Sequence, residues 1–158
     1  MKIISGGQTG VDRAALDVAL ELGIACGGFC PKGRTSEDGV IPEKYPLTET
    51  ITDDYPERTE LNVRTGDGTL VLIDRDADKG TSLTLTLCKF YNKPFMIVDL
   101  AEKNHAENVV LWIKENNMDV LNIAGSRASS SPEIYNKAYG FLMTCFSVDS
   151  TVFREKYS

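Results

Sequence analysis

The sequence predicts a doubly wound parallel α/β sheet of about five or more strands, in a single domain over residues 1–158. Three observations carry that expectation. Short apolar stretches alternate with segments of helical periodicity, the pattern of parallel strands joined by crossover helices. The first such unit, Ile3 to Leu16 (IISGGQTGVDRAAL), passes from strand through a glycine-dense loop straight into a helix. A chain of 158 residues also suffices for one hydrophobic core and is short for two.

After the first strand, Val11, Ala14, Ala15, Val18, Ala19 and Leu22 recur at helical spacing and lay one apolar stripe on a sheet, and Gly23 ends that helix. A second strand is expected over Ile24 to Phe29. From Cys30 to about Asp53 runs a connection rich in Pro, Gly and charge, and such length in a compact domain points to a functional segment. Pro56 suits the first turn of a helix over Tyr55 to Thr65. Gly66-Asp67-Gly68 then turns the chain into a strand from Thr69 to Ile73.

The stretch Thr81 to Tyr91 reads two ways. Leu83, Leu85 and Leu87 alternate with threonine as in a strand, whereas Leu83, Leu87 and Phe90 share a helical face. Helix is preferred, because the segment separates two strands, Thr69 to Ile73 and Phe95 to Asp99, whose parallel pairing needs a crossover. A helix over Ala106 to Asn116, a strand over Val120 to Ala124 and a helix from Pro132 to about Cys145 complete the chain. In the last helix Tyr135, Tyr139 and Phe141 fall at core spacing.

The net charge of -6 disfavours nucleic acid, whose phosphates reward clustered Lys and Arg. No stretch is long and apolar enough to span a bilayer and no secretory signal is recognised, so a cytoplasmic protein without membrane attachment is expected. Cys26, Cys30, Cys88 and Cys145 lack zinc-site spacing and read as core thiols. The single histidine, His105, has neither a histidine partner nor a nucleophile beside it and receives no role, and no metal site is read. Arg13, Arg34, Arg75 and Arg127 fall in or beside strand-to-helix connections, which suits a small anionic ligand.

Ligands of doubly wound sheets bind outside the carboxyl ends of the strands, where four loops of this chain converge. The first offers Gly6, Gly7, Gln8, Thr9 and Gly10, with Asp12 and Arg13 in the helix behind; Arg13 either closes over a ligand or pairs with Asp12. It matches neither the P-loop, which needs Gly-Lys followed by Ser or Thr, nor the spacing of the dinucleotide fingerprint. A tight turn alone also explains its glycines. The second loop projects Lys32 and Arg34, which equally suit a solvated charged loop. The third holds Asp74, Lys79, Gly80, Thr81 and Ser82, where Thr81 or Ser82 either caps the next helix or meets a phosphate. The fourth holds Gly125, Ser126 and Arg127 before a Ser-Pro helix start.

Together GGQTGVDRAAL at Gly6 to Leu16, PKGR at Pro31 to Arg34, KGTSLT at Lys79 to Thr84 and AGSRASSSP at Ala124 to Pro132 resemble the molybdenum carrier family. That family is related to the molybdenum-cofactor carrier proteins and, more distantly, to lysine-decarboxylase-like nucleotide-binding proteins. The resemblance implies a Rossmann-like fold, homo-oligomers, molybdoenzymes as recipients, and binding of the molybdenum cofactor, molybdopterin, whose side chain ends in a phosphate. It implies an anion site at Gly6, Gly7, Thr9 and Gly10, with Gly80 and Thr81 contributing. Enzymatic relatives cleave nucleoside monophosphates with a glutamate in a PGGxGTxxE motif. Here Asp76, Ala77 and Asp78 stand for Pro-Gly-Gly and Thr84 for the glutamate, and a threonine hydroxyl is no base near neutral pH.

Three functions follow. A non-catalytic carrier of a phosphate-bearing pterin leads. A nucleotide-processing enzyme is the alternative, with Asp12, Glu43 or Asp74 as base and Arg13, Lys32 or Arg127 stabilising phosphate charge. A nucleotide-sensing module is the third.

Overall fold

Gly23 sits in the left-handed region at φ 67°, and its N–H reaches back to the carbonyls of Ala19 and Leu20, so helix α1 (Val11–Leu22) stops at the residue its apolar stripe predicts. The computed structural model describes residues 1–104 and 106–147. Strand β1 (Lys2–Ile4) precedes α1, and β2 (Ala25–Gly27) follows it. The second strand is shorter than the expected Ile24 to Phe29. Gly28 turns at φ 121°, with the Ser5 carbonyl oxygen 2.2 Å from where a Cβ would stand, and the chain leaves the sheet there.

The connection from Cys30 to Asp53 is more ordered than its composition predicts. Strand β3 (Phe29–Cys30) pairs in parallel with β6 (Thr48–Glu49), while β4 (Thr35–Ser36) and β5 (Gly39–Val40) form a small antiparallel hairpin. Arg34 organises the segment: its guanidinium donates to the carbonyls of Ile41, Pro42, Tyr45 and Leu47. Ile41 and Tyr45 are buried against Leu16 and Cys30. The Tyr45 and Tyr135 hydroxyls donate to the two oxygens of Asp17, at 2.7 and 2.6 Å. One carboxylate thus ties the connection and the last helix to α1.

Helix α2 (Tyr55–Thr65) and strands β7 (Gly68–Ile73) and β8 (Phe95–Asp99) lie where periodicity places them. Between the strands runs α3 (Lys79–Phe90), so the ambiguous leucine-threonine stretch is a helix. Its cap corrects an expectation: Asp78, not Thr81 or Ser82, is the N-cap, accepting the Thr81 N–H at 2.8 Å. Then follow α4 (Ala106–Glu115), β9 (Val120–Gly125) and α5 (Ile134–Ser147). The last helix starts two residues beyond Pro132. No helix among the described residues is long and apolar enough to cross a membrane.

Five strands form one parallel sheet in the order β2-β1-β9-β7-β8. Numbered from β9 as the first strand, that order reads 3-2-1-4-5, the sequence of a doubly wound nucleotide-binding sheet. The last strand among the described residues therefore holds the central position. Helices α1, α4 and α5 cover one face and α2 and α3 the other. Alternation along β9 makes the two faces different: Leu121 and Ile123 enter the apolar core with Val11, Leu142 and Phe146, whereas Asn122 and Ala124 face the α2 and α3 side. Tyr135, Tyr139 and Phe141 pack partly buried against this core, and Cys30, Cys88 and Cys145 are buried free thiols.

In α5, Gly140 is exposed and a Cβ built there meets nothing within 4 Å. Gly140→Ala is expected to stabilise the protein by about 0.5–1 kcal/mol, seen as a rise of a few degrees in Tm. An unchanged or lower Tm would contradict this account of α5.

Candidate functional site

Beyond the carboxyl ends of β1, β7 and β9 the space between sheet, α2 and α3 opens into a cavity of about 270 Å³. Its floor is Asn122, Ala124 and Gly125 of β9. Helix α3 supplies Lys79, Gly80, Leu83 and Thr84, preceded by Asp78. Tyr55, Arg58, Thr59 and Asn62 come from α2, where spacing of three, four and seven residues places them on one helical face. The first loop adds Gly6, Gln8 and Asp12, and Arg127 closes the wall.

Its wall contains a buried ion pair. Arg58 Nη1 stands 3.1 Å from Asp12 Oδ2, with side chains 12% and 9% exposed respectively. The Gln8 N–H donates to the same oxygen at 3.1 Å. Burial pushes the Asp12 carboxyl above the usual range, against the opposing pull of Arg58 and the Gln8 amide. Arg58 Nε is buried without a hydrogen-bond partner among the described residues. The guanidinium also lies over the Tyr55 ring, 5.5 Å from its centroid.

Asp78 is held differently. Burial raises its pKa, but the Thr81 and Arg127 amides that it accepts, the latter at 3.1 Å, outweigh this and leave it below the usual range. Thr84 donates its hydroxyl to the Gly80 carbonyl at 3.0 Å while lining the cavity.

Of the residues singled out by sequence, Gly6, Gln8, Lys79, Gly80, Gly125 and Arg127 line this cavity, as does Asp12, the candidate base of the enzyme alternative. Gly7, Thr9, Gly10, Arg13, Lys32, Arg34, Asp74, Thr81, Ser82 and Ser126 are not part of its wall. Physical reasons are visible for several. A Cβ on Gly7 would stand 2.5 Å from Leu47 Cδ1, so this glycine faces the apolar underside of the long connection. Gly10, at φ 81°, lets the first loop approach the Ser126 carbonyl, which would lie 2.4 Å from a Cβ. Arg13 neither pairs with Asp12 nor reaches the cavity; it donates to Gly7 O, Ser36 Oγ and Asp38. Its guanidinium, with the Ser36 hydroxyl, draws the Asp38 carboxyl down to about 2.

Lys32 and Glu43 are exposed on the connection. Asp74 accepts Lys137 Nζ and Ser131 Oγ, each at 2.9 Å, and the lysine holds it below the usual range. His105 lies outside the described residues. The sequence reading missed Arg58, Asp78, Asn62 and Asn122. Asn122 carried a signal, a lone amide in the apolar run VLNIA, as did the polar face of α2.

A family model described as the circularly permutated YpsA SLOG family matches residues 3–146. The chain belongs to this permuted YpsA family. The permutation in the family's name is legible in the sheet, whose order becomes 3-2-1-4-5 only when β9 is counted first. In this permuted YpsA chain the loop after β9 therefore stands where the first βα turn of a doubly wound fold stands. A solved structure, that of a "Putative molybdenum carrier protein" from Syntrophus aciditrophicus SB, is 44% identical. The match covers 91% of this chain and 93% of that one, with a TM-score of 0.87. The four motifs pointed to the same molybdenum carrier-like family. No curated protein matches the chain.

Proposed function

We propose that the cavity binds a small phosphate-bearing pterin of the molybdenum-cofactor type and that the protein carries this ligand without transforming it. One observation supports the reading above the others: the buried, unpartnered Nε of Arg58 in the cavity wall. A buried guanidinium donor left open is costly, and an anionic acceptor on a ligand is the natural partner for its planar fork. Lys79 and Gly80, in the first turn of α3, add positive potential beside it. The amides of Gln8 and Asn122 and the Tyr55 ring suit a flat, polar heterocycle, while the Asn62 amide is held by the Phe29 backbone.

The cavity lies just below the roughly 300–1,000 Å³ common for ligand sites, a size for one heterocycle and an anionic group. No Cys or His is among its lining residues, so molybdenum would arrive held by the pterin itself. The similarity to the Syntrophus protein supports the same reading. Molybdoenzymes as recipients and a homo-oligomeric carrier belong to this proposal.

Mass spectrometry of the ligand that co-purifies with the native protein tests it. A pterin phosphate is expected, and it should be lost in Gly80→Trp, where a Cβ meets only Asp78 Oδ1 at 3.7 Å and a large ring can enter the cavity. Recovery of a nucleotide instead would overturn the carrier reading. One observation favours an enzyme as the second reading: Asp12 is a cavity carboxyl raised by burial, a common property of a general base. Turnover of a nucleoside monophosphate, abolished in Asp12→Asn, would establish it.

A further inference from the structure

The β4–β5 hairpin reaches across the outside of the first and fourth loops and delivers Glu37 into a ring of donors. Glu37 Oε1 accepts the Thr9 hydroxyl and the Ser129 N–H, the latter at 3.0 Å. Oε2 accepts the Ser129 hydroxyl at 2.6 Å and lies 3.7 Å from Arg127 Nε. The backbone N–H of Glu37 is tied to Gln8 Oε1 at 3.0 Å, and the neighbouring Asp38 is clasped by Arg13. One main-chain N–H and two hydroxyls donate to the carboxylate, and a guanidinium stands 3.7 Å away, a donor set that suits an oxyanion. Its place in the fold gives it meaning. It lies on the loop after β9, which in the 3-2-1-4-5 frame is the turn where doubly wound proteins seat a nucleotide phosphate.

We propose that Glu37 is a built-in occupant of this anion subsite and a specificity-determining residue: its carboxylate takes the position of a phosphate and excludes nucleotides bound in the usual manner. The anionic group of the cavity ligand is then met at the other end of the site, by Arg58, Lys79 and Gly80. Arg127, which both lines the cavity and faces Glu37, joins the two ends. The hydrogen bonds from Ser129 and Thr9 and the charge of Arg127 outweigh burial and keep Glu37 below the usual carboxylate range, so the subsite holds an anion at neutral pH. This inference deepens the reading of the cavity and rests on it only for the identity of the ligand.

The probes are inorganic phosphate and AMP, measured by calorimetry at fixed ionic strength. Wild-type protein is expected to bind either probe only weakly, through Arg58 and Lys79 at the other end of the site, and Lys79→Ala should remove that residual binding without affecting the gain described next. Glu37→Ala, whose side chain leaves the receptor open, is expected to gain at least tenfold in affinity for both, and Arg127→Ala in that background to lose most of the gain. Glu37→Ser, whose short side chain also withdraws from the receptor, serves as a second opened variant should the alanine variant fold poorly. Wild-type binding as tight as that of the variants, or a folded variant with no gain, would overturn the proposal. Neither result depends on whether a pterin co-purifies, so failure here and failure of the carrier reading are told apart.

Discussion

Arg58→Met is expected to cost about 3 kcal/mol of stability at pH 7.5, measured by urea denaturation, because it strands the buried Asp12 carboxylate without its counter-charge. The loss should shrink on acidification. Burial already holds Asp12 above its unfolded pKa, so the native state binds the proton more tightly than the unfolded chain does. Such a group destabilises as pH rises from the unfolded value through the folded one, and removing Arg58 moves the folded value higher still. The variant should therefore lie closer to wild type at pH 5 than at pH 7.5. Asp12→Asn in the same background should recover more than half of the neutral-pH loss, since it removes the stranded charge. An equal loss at both pH values, with no recovery in the double variant, would mean that Arg58 acts through packing alone.

Gly10→Ala is expected to destabilise by about 2–5 kcal/mol, summing backbone strain and overpacking. The residue sits at φ 81° and ψ -127°, and the Ser126 carbonyl oxygen would be 2.4 Å from the new Cβ, with Arg127 Cα at 3.0 Å. The obstruction is backbone, which cannot rotate aside. Gly39→Ala is the natural comparison, because Gly39 also has positive φ, at 114°, but nothing lies within 4 Å of its Cβ position. It isolates the strain, expected at about 1–3 kcal/mol. Denaturation midpoints of the two variants measure the difference; equal losses would show that the approach of the first and fourth loops is not tight. If Gly10→Ala folds, the two loops are pushed apart and the Ala128 N–H bond to Thr9 should open, visible as faster amide exchange at Ala128.

The main-sheet strands and four of the five helices among the described residues were legible because each carries a local signal, whereas α3 was read as a helix only from the crossover that its flanking strands require. The stripe on α1, Pro56 at the start of α2 and the β-branched run of β7 state their own conformation. The break at Gly28 and the folding of the long connection were not, since both depend on contacts distant in sequence. Ser5 stands behind Gly28, and four carbonyls converge on Arg34. The site divided in the same way. Gly6, Gln8, Lys79, Gly80, Gly125 and Arg127 follow from the rule that ligands gather at strand ends. Arg58 lies in the middle of a helix and could not be found by looking at loops. Conversely Gly7, Gly10 and Arg13, the most suggestive residues of the first motif, serve packing between loops. Glycine is required wherever backbones approach closely, and a sequence does not say whether the approaching group is a ligand or another loop.

The placement of β9 also governs how the molecule assembles. Strands β1 and β2 form one half of the sheet and β7 and β8 the other, and the two halves share no hydrogen bond until β9 slides between them, pairing Lys2 with Val120 and Gly68 with Leu121. During synthesis each half thus waits with an open strand edge, and closure is a long-range event, with Lys2 and Val120 118 residues apart and Gly68 and Leu121 53 apart. The same insertion brings Asn122 and Arg127 against the walls made by α2 and α3. A nascent chain lacking β9 and α5 would hold two additional exposed sheet edges and no cavity; the cavity and protection from aggregation arrive in one step.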